Sequence, residues 1–389
     1  MSDEISNYKE EIYSCTRCGT CKYIYHVYDD SCPSGIKFRF ETFYPSGKIQ
    51  IARGLLERKL EWSDRIKDII FACPTCGSCT IQCQSRQRDV IVDIFEALRA
   101  DAVRHGYGPL PNQKTFAESV AKEHNPYNEK HSERLNWKEG VESEVPQKEK
   151  ADILYFVGCT SSYRQKNLAQ ATVKILNKIG VDYTVSEDEW CCGSPLMRTG
   201  QLDSVKDLVE HNLELIKKTE AKKIITSCAG CYRTIKIDFP KYAEQLEGVE
   251  ILHITEFLNQ MIEAGRLELP KKLEDIVVTY HDPCHLGRHS GVYDAPRAII
   301  QAIPGVTLIE MPRFGENAWC CGAGGGVKAA FKDWAVEISS KRIEEAEKTG
   351  CTILLSACPF CKTNLQDAIK TANSEIKFMD IVTLINELL

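Results

Sequence analysis

The stretch CTILLSACPFC, residues 351–361, joins a short apolar run to two closely spaced cysteines. An apolar run of this length without alternation is typical of a buried strand in a parallel sheet. A second stretch, KKIITSCAGC at 222–231, has the same order of apolar run and cysteine pair. Sites of α/β proteins form in loops beyond the carboxyl ends of such strands. Both cysteine pairs are therefore predicted at the edge of a sheet.

Each of these stretches ends a longer pattern that occurs twice. An apolar run with one cysteine opens each copy, in YFVGC ending at Cys159 and in YHDPC ending at Cys284, and 125 residues separate these two cysteines. A WCCG tetrapeptide follows in each copy. The pattern thus contains ten cysteines: Cys159, Cys191, Cys192, Cys228 and Cys231, then Cys284, Cys320, Cys321, Cys358 and Cys361. Five thiolates exceed the four ligands of one zinc ion or one cubane cluster, and an adjacent pair can bracket one metal assembly.

Amphipathic stretches lie between the predicted strands. They cover 167–180, 204–219, 294–303 and 334–350, and two of them end at glycine, which is a helix stop signal. Alternating strands and helices predict an α/β fold. We expect two tandem α/β domains of this kind, at 151–270 and 271–389.

Eight further cysteines lie in two N-terminal runs. CTRCGTC at 15–21 is followed by Cys32, and CPTCGSCTIQC spans 73–83. The second run has the spacing of bacterial two-cluster ferredoxins, in which the fourth cysteine binds the other cluster. We predict two cubane [4Fe-4S] clusters, one held by Cys15, Cys18, Cys21 and Cys83, the other by Cys73, Cys76, Cys79 and Cys32. Ten residues separate Cys21 from Cys32, which departs from the usual spacing.

The segment between the two runs, GKIQIARGLLERKLEW at 47–62, has helical apolar periodicity. The sequence therefore predicts a helical two-cluster ferredoxin-like module at 1–105. Residues 106–150 are polar and proline-bearing, which is typical of a linker or a wrapping segment. Zinc is the alternative metal, but zinc sites usually contain C-x2-C pairs and not triple runs.

The composition of the chain limits its expected cellular compartment and its classes of partner. The chain has 19 cysteines among 389 residues, and disulfides are rare in a reducing cytosol. A net charge of −6 gives no attraction to nucleic acid. There is no apolar stretch near the ~20 residues that span a bilayer, and the acidic N-terminus lacks the apolar centre of a signal peptide. We expect a cytoplasmic protein, peripheral at a membrane only through a partner.

A duplicated C…CCG…CxxC pattern behind a ferredoxin-type module resembles the cysteine-rich CCG domain family. The whole chain resembles the heterodisulfide reductase D-subunit family, which is in effect a fusion of the smaller C and B subunits. The pattern includes 18 of the 19 cysteines. Cys351 is the remaining one, and we predict that it is a small buried hydrophobic residue.

The resemblance implies that each five-cysteine set holds a noncubane [4Fe-4S] cluster. The two clusters would face each other across a cavity and cleave a disulfide, coenzyme M–coenzyme B or a related one, in two one-electron steps. The cubane clusters would supply the electrons. An enzyme of this kind works as a subunit of a complex, so the resemblance implies a partner such as a membrane cytochrome b-like subunit or a flavin, hydrogenase or dehydrogenase subunit.

A non-catalytic electron relay is the alternative function. The same architecture would then connect a flavoprotein 2-hydroxy acid dehydrogenase or an aromatic acyl-CoA reductase complex to a carrier. A disulfide bound between the two noncubane sites would favour the reductase, whereas a cavity closed by side chains would favour the relay.

Several other groups flank the cysteines. His281, Asp282 and His285 surround Cys284, and we predict His285 as a proton donor to the thiol product, with a structural hydrogen bond as its alternative role. Glycines after Cys321 would offer backbone N–H groups to a cluster sulfur or an anion: Gly322, Gly324, Gly325 and Gly326.

Charged and aromatic side chains also lie near the motifs. Five cations could bind substrate anions, although for each alone a surface or structural charge is the preferred interpretation: Arg164, Arg198, Arg233, Arg288 and Lys328. Trp190 and Trp319 precede the two CC pairs, and we predict that they pack over the clusters and shield them.

Overall fold

The computed structural model describes residues 3–24, 29–243, 246–270 and 272–389. Its N-terminal region is helical, with one pair of two-residue antiparallel strands, β1 (Tyr23–Ile24) and β2 (Asp29–Asp30). The helices are α1 (Lys9–Tyr13), α2 (Pro33–Phe38), α3 (Pro45–Leu56), α4 (Asp64–Phe71), α5 (Ser78–Gln82) and α6 (Ile91–Arg104). Helix α3 confirms the helical periodicity predicted for residues 47–62, but it ends at Leu56. Two residues later, Arg58 adopts a left-handed φ of 55°.

The segment 106–150 contains a helix that the sequence did not predict, α7 (Pro111–Glu123). Pro111 stands at its first position, where a missing N–H costs nothing. Further along, Trp137 is completely buried and Arg134 is 1% exposed. The segment is polar in composition, but some of its side chains are buried. Trp137 packs in the same core as residues of the first repeat, so the segment lies against that repeat.

The first repeat is built on a parallel sheet with strand order β4-β3-β5-β6. Its strands are β3 (Ile153–Tyr155), β4 (Tyr183–Thr184), β5 (Lys223–Thr226) and β6 (Glu250–His253). Its helices are α8 (Cys159–Tyr163), α9 (Lys166–Ile179), α10 (Ser194–Arg198), α11 (Val205–Thr219), α12 (Ala229–Arg233) and α13 (Ile254–Glu263). Helix α9 ends at Gly180 with φ 70°, as the glycine stop signal predicts.

The second repeat has the same topology, because its order β8-β7-β9-β10 matches the first sheet strand for strand. Its strands are β7 (Ile276–Tyr280), β8 (Val306–Leu308), β9 (Ile353–Ser356) and β10 (Lys377–Asp380). Its helices are α14 (Asp294–Gln301), α15 (Val327–Ala330), α16 (Lys332–Glu347), α17 (Pro359–Ala372) and α18 (Ile381–Leu388). The predicted α/β class with an N-terminal helical module is confirmed.

The core shows how the units are joined. One cluster of buried apolar side chains includes residues of both sheets, such as Tyr155 and Leu355. A second cluster joins the N-terminal helices to Trp319 and Cys320 of the second repeat. Apolar burial therefore fixes the second repeat against the helical region. Among the described ranges, no helix is long and apolar enough to span a bilayer.

Candidate metal centres

The N-terminal cysteines lie in two groups that cross between the runs. Cys18 is exposed, and the other seven are buried. Burial raises the pKa of the Cys83 thiol, and the nearby Cys18 and Cys15 thiols raise it further. This proximity brings the last cysteine of the second run to the first run, as the crossed ligand assignment requires.

The other group surrounds a cavity. Cys32, Cys73, Cys76 and Cys79 all line it, together with Val92 and Phe95. Burial raises the pKa of Cys79 well above its ordinary value, and Cys76 and Cys73 are the next contributors. Cys32 also accepts a hydrogen bond from the N–H of Gly35 at 3.5 Å. Buried Lys48 also lines this cavity. Four cysteines around one cavity are the donor set that a cubane iron–sulfur cluster requires.

The first repeat gathers its five cysteines at the carboxyl edge of its sheet. Cys159 follows β3, and Cys228 and Cys231 follow β5. Neighbouring thiols shift one another's pKa along the series Cys159, Cys191, Cys192, Cys231 and Cys228, so the five lie side by side in that order.

The backbone around these thiols is fitted closely to them. Gly193 donates its N–H to the Cys191 sulfur at 3.4 Å. Gly158 has φ 76°, and a Cβ there would lie 2.9 Å from the Cys231 sulfur. A side chain at position 158 would therefore strain the backbone and press on the cysteine set.

The second repeat has the same arrangement. Neighbouring thiols shift one another's pKa along the series Cys284, Cys320, Cys321, Cys361 and Cys358, so these five also lie side by side. A histidine is added here, since ligand atoms of His281, Cys321 and Cys361 lie within 4.8 Å of one another. Arg342 donates to Nδ1 of His281 at 3.1 Å, so the ring proton is on Nε2. This Nε2 is buried and makes no hydrogen bond to any described residue.

Neighbouring thiols link the separate sets. The nearby Cys228 thiol of the first repeat raises the pKa of Cys358 of the second. The nearby Cys320 thiol of the second repeat lowers the pKa of Cys76 of the N-terminal region. The cysteines of the 73–79 run therefore adjoin the second repeat, and the second repeat adjoins the first.

His285 lies where the two repeats meet. Its Nδ1 would be 3.7 Å from a Cβ placed on Gly230 of the first repeat, and its buried Nε2 has no hydrogen-bond partner among the described residues. Burial, and then the charges of Arg233 and Arg198, hold the pKa of His285 well below its ordinary value. The imidazole is therefore neutral at physiological pH.

The glycines after Cys321 face protein. Gly322 donates its N–H to the Cys320 sulfur at 3.2 Å. The predicted acceptor of this N–H was a cluster sulfur or an anion, and the observed acceptor is a cysteine sulfur. A Cβ on Gly324 would lie 2.7 Å from the Pro74 carbonyl oxygen, and one on Gly325 would lie 2.5 Å from the Cys73 carbonyl oxygen. Gly326 lies against Gln113 and Thr199. The missing side chains of the last three allow the second repeat to approach the 73–79 run.

Most of the five cations proposed for substrate anions are already paired. Arg198 binds both oxygens of Glu96, at 2.6 and 2.7 Å, and contacts Asp238. The other pairs are Arg164 with Glu129, Lys328 with Asp367, and Arg233 with Glu96 at 3.5 Å. Arg288 alone of the five has no carboxylate among the described residues within ion-pair distance and contacts backbone carbonyl oxygens instead.

The two tryptophans pack against different neighbours, and their shielding of clusters stays a prediction. Trp190 is stacked between His124 and His211, with ring centroids 3.7 Å away on both sides. Trp319 is buried and donates its indole N–H to the Ile338 carbonyl oxygen at 2.8 Å. Cys351 is buried just before β9, where its thiol donates to the Ala346 carbonyl oxygen at 3.5 Å, and its burial agrees with the predicted small buried residue.

Sequence reasoning missed a buried ion pair beside the first cysteine set. Arg134 contacts the Cys159 sulfur at 3.7 Å and pairs with Glu189, whose carboxylate accepts the N–H groups of Val157 and Gly158. Arg134 lies in the polar 106–150 segment, where an arginine has no distinguishing pattern. Glu189 directly precedes WCCG, and that position was the only available signal.

A second missed residue is Arg99 on α6, which is fully buried. Its guanidinium donates to carbonyl oxygens of the N-terminal region, the first repeat and the second repeat, including Cys73, Arg198 and Gly325 at 2.6, 2.6 and 2.9 Å. It therefore holds all three parts of the chain at one point.

Comparison with known proteins agrees with this arrangement. Residues 11–86 match a 4Fe-4S dicluster domain, and residues 153–236 and 278–366 match the CCG cysteine-rich domain. The D subunit of the dihydromethanophenazine:CoB–CoM heterodisulfide reductase of Methanosarcina mazei is 40% identical over 391 residues, covering 97% of this chain and 94% of that protein. This chain belongs to the family of heterodisulfide reductase D subunits. It is an iron–sulfur oxidoreductase of the heterodisulfide reductase type.

More distant relatives share the architecture. The B subunit of the fumarate reductase (CoM/CoB) of Methanothermobacter marburgensis is 34% identical, covering 82% of this chain and 62% of that protein. The EtfAB:quinone oxidoreductase of Syntrophomonas wolfei is 32% identical, covering 82% of this chain and 46% of that protein. A solved structure of a hypothetical protein from Helicobacter pylori aligns with a TM-score of 0.55 at 11% identity, covering 99% and 71% of the two chains, which shows likeness of fold alone.

Proposed function

We propose that this chain reduces a disulfide to two thiols as the catalytic subunit of a complex, the substrate being the mixed disulfide of coenzyme M and coenzyme B or a related one. The reaction consumes two electrons and two protons. One observation carries the proposal: the two complete five-cysteine sets meet at Cys228 and Cys358, and the N-terminal cysteines join them at Cys76 and Cys320. A substrate between the repeats would thus lie next to sulfur ligands on both sides.

We assign cysteine ligands to each cluster from the way the cysteines are grouped in the fold. Cys15, Cys18, Cys21 and Cys83 would hold one cubane cluster, and Cys32, Cys73, Cys76 and Cys79 the other. The five cysteines of each repeat would hold a noncubane [4Fe-4S] cluster. When bound, these clusters supply single electrons, and disulfide cleavage requires two of them. The domain divisions at residues 105, 150 and 270 belong to the same proposal.

The residues of the chain differ around the two five-cysteine sets. Arg134 directs its guanidinium at the Cys159 sulfur and carries a paired charge because Glu189 neutralises it. His281 directs a neutral N–H toward the second set. Hydrogen bonds to cysteine sulfur change how readily a site accepts an electron. The clusters held by the two five-cysteine sets would therefore differ in reduction potential.

His285 is placed to assist the departing thiolate. A neutral imidazole at the junction of the repeats donates a hydrogen bond to a sulfur that becomes negatively charged. The growing negative charge raises the proton affinity of the ring, so the same group can then pass protons to the product.

A relay without a substrate is the second candidate. The closeness of Cys228 and Cys358 would serve electron transfer between the repeats whether or not a substrate enters between them. The relationship to an EtfAB:quinone oxidoreductase gives this candidate a chemical precedent. In either case the chain would exchange electrons with a partner redox subunit, of the membrane cytochrome b-like type or of a flavin, hydrogenase or dehydrogenase type.

The test is an anaerobic assay of coenzyme M–coenzyme B disulfide reduction by reduced viologen, with iron measured in the same sample. Four clusters correspond to about 16 irons per chain. We expect turnover at that iron content, and a lower kcat in His285→Gln. The control His105→Gln changes an exposed histidine paired with Asp3 and should keep full activity. Full iron content without turnover would refute the reductase and leave the relay.

A further inference from the structure

Arg288 clamps the junction between the 73–79 run and the second repeat. Its Nε donates to the Cys76 carbonyl oxygen at 2.7 Å, and its Nη1 donates to the carbonyl oxygens of Ala318 and Glu316 at 2.5 and 3.2 Å. The next residue, His289, contacts the Thr75 carbonyl oxygen through Nε2 at 3.0 Å. Side chains of the loop that follows Cys284 therefore hydrogen-bond to the backbone of the loop that carries Cys76.

The charge of Arg288 is not neutralised by an acid within the described part of the chain. Two buried arginines at the cysteine sets, Arg134 and Arg198, each bind a carboxylate. Arg99 also lacks an ion-pair partner among the described residues, but all its nitrogens donate to carbonyl oxygens. Arg288 differs from Arg99 because its buried Nη2 has no hydrogen-bond partner in the described ranges. Arg288 is half-buried, but a buried N–H donor such as its Nη2 is costly unless something accepts a hydrogen bond from it.

The anionic groups available to Arg288 are cysteine sulfurs of two sites. Burial disfavours its charge, but the Cys76, Cys284 and Cys320 thiols outweigh that effect and raise the pKa of the guanidinium. Cys76 belongs to the N-terminal region and the other two belong to the second repeat. The contacts of Arg288 with the Cys76 carbonyl oxygen and of His289 with the Thr75 carbonyl oxygen place these two sets side by side. Arg288 is thus a cation at a point where two anionic ligand sets touch.

We propose that Arg288 is a positioning residue shared by two cluster sites: its charge favours electron uptake both at the site of Cys32, Cys73, Cys76 and Cys79 and at the five-cysteine site of the second repeat. A thiolate-ligated site becomes more negative when it gains an electron, and a fixed nearby cation stabilises that state. The free Nη2–H is oriented by the three carbonyl contacts and would donate to sulfur. The same cation reduces the repulsion between the two sites when both are reduced.

The inference rests on the proposed cluster assignment, and its test is a potentiometric titration followed by electron paramagnetic resonance on the anaerobically purified full chain. Arg288→Gln keeps an amide donor for the Cys76 carbonyl oxygen but removes the charge. We expect two of the four reduction steps to move to lower potential, with about a tenfold change in the oxidised-to-reduced ratio at fixed potential, equivalent to ~59 mV for a one-electron couple. Arg288→Lys keeps the charge and should shift both steps less.

Arg53→Met is the matched control, because Arg53 lies in the same N-terminal region but is exposed and paired with Glu57. Its four steps should remain unchanged. Unchanged potentials in an iron-replete Arg288→Gln protein would overturn the inference, and so would an equal shift of all four steps. Iron loss in both the Gln and the Lys variants would also overturn it, since Arg288 would then be only structural. Shifted potentials without disulfide turnover would retain this inference while refuting the proposed substrate.

Discussion

Replacing Arg99 by methionine is expected to loosen the junction of all three parts of the chain. The guanidinium makes hydrogen bonds to five backbone carbonyl oxygens, those of Ile70, Phe71, Cys73, Arg198 and Gly325. Methionine fills similar volume but donates nothing. The oxygens of Ile70 and Phe71 end helix α4, so part of their loss is shared with the helix terminus.

The magnitude follows from the three shortest cross-links between separate segments. Each buried carbonyl left without a donor costs about 1–3 kcal/mol, which gives roughly 3–9 kcal/mol for the oxygens of Cys73, Arg198 and Gly325. Methionine also removes the desolvation of an unpaired buried cation, which offsets several kcal/mol of that loss. The net destabilisation is therefore about 2–5 kcal/mol, at the upper end of single substitutions.

Anaerobic scanning calorimetry, with iron measured before each scan, tests this value. An unfolding entropy of about 2.1 cal/mol/K per residue gives about 0.8 kcal/mol/K for this chain, so the midpoint should fall by about 3–6 °C. Arg99→Lys keeps the charge and some donors and should fall less. The exposed control Arg53→Met should leave the midpoint in place. A midpoint for Arg99→Met no lower than that of the control would refute the reasoning, since the carbonyls would then have found other donors.

Three further outcomes follow from individual residues. Cys32→Ser should lower iron from about 16 to about 12 per chain, whereas Cys351→Ser should leave it unchanged; equal iron in both would contradict the assignment of Cys32. Burial raises the pKa of Asp380 to about 7 from 3.8. The stability that Asp380 contributes is therefore full below about pH 4 and is lost as the pH rises through about 7. Across that window the free energy of unfolding of Asp380→Asn should gain on that of wild type by up to about 1.4 kcal/mol per pH unit, and its thermal midpoint should rise relative to wild type accordingly. Parallel curves would contradict this sign. Gly325→Ala should lower both the thermal midpoint and the iron content, because its Cβ would lie 2.5 Å from the Cys73 carbonyl oxygen. Gly106→Ala is the control, since Gly106 also has a positive φ, 82°, but nothing lies within 4 Å of its Cβ position. This control should change the iron content little.

Local patterns predicted the parts of this fold that local interactions determine. The runs before Cys159, Cys228 and Cys284 form the strands β3, β5 and β7 as expected, because uninterrupted apolar sequence suits a strand buried on both faces. Strands β6 and β10 were not predicted. They begin with exposed residues, Glu250 and Lys377, and lack the continuous apolar run of the inner strands.

Contacts between distant segments were beyond the reach of sequence patterns. Arg134 and Trp137 lie in a polar stretch, and their burial depends on a first repeat that begins after them. The glycines at 324–326 were predicted as groups facing a ligand, but all three accommodate neighbouring protein segments. Cysteine spacing predicts which residues bind metal, whereas the carbonyls, acids and bases around them are assembled by tertiary packing.

The two repeats have matched cysteines but unmatched surroundings, and this difference bears on the order of electron transfer. Three residues before the first cysteine of each set, the first repeat has Phe156 and the second has His281, which directs an N–H toward Cys321 and Cys361. The cation of the first set, Arg134, is neutralised by Glu189, whereas Arg288 at the second set has no acid among the described residues. Both differences favour negative charge at the second set. That set also adjoins Cys76, so the site that best accommodates an added electron is the one in contact with the N-terminal cysteines. Electrons arriving from Cys76 would therefore reach the second repeat first and cross to the first repeat at Cys358 and Cys228.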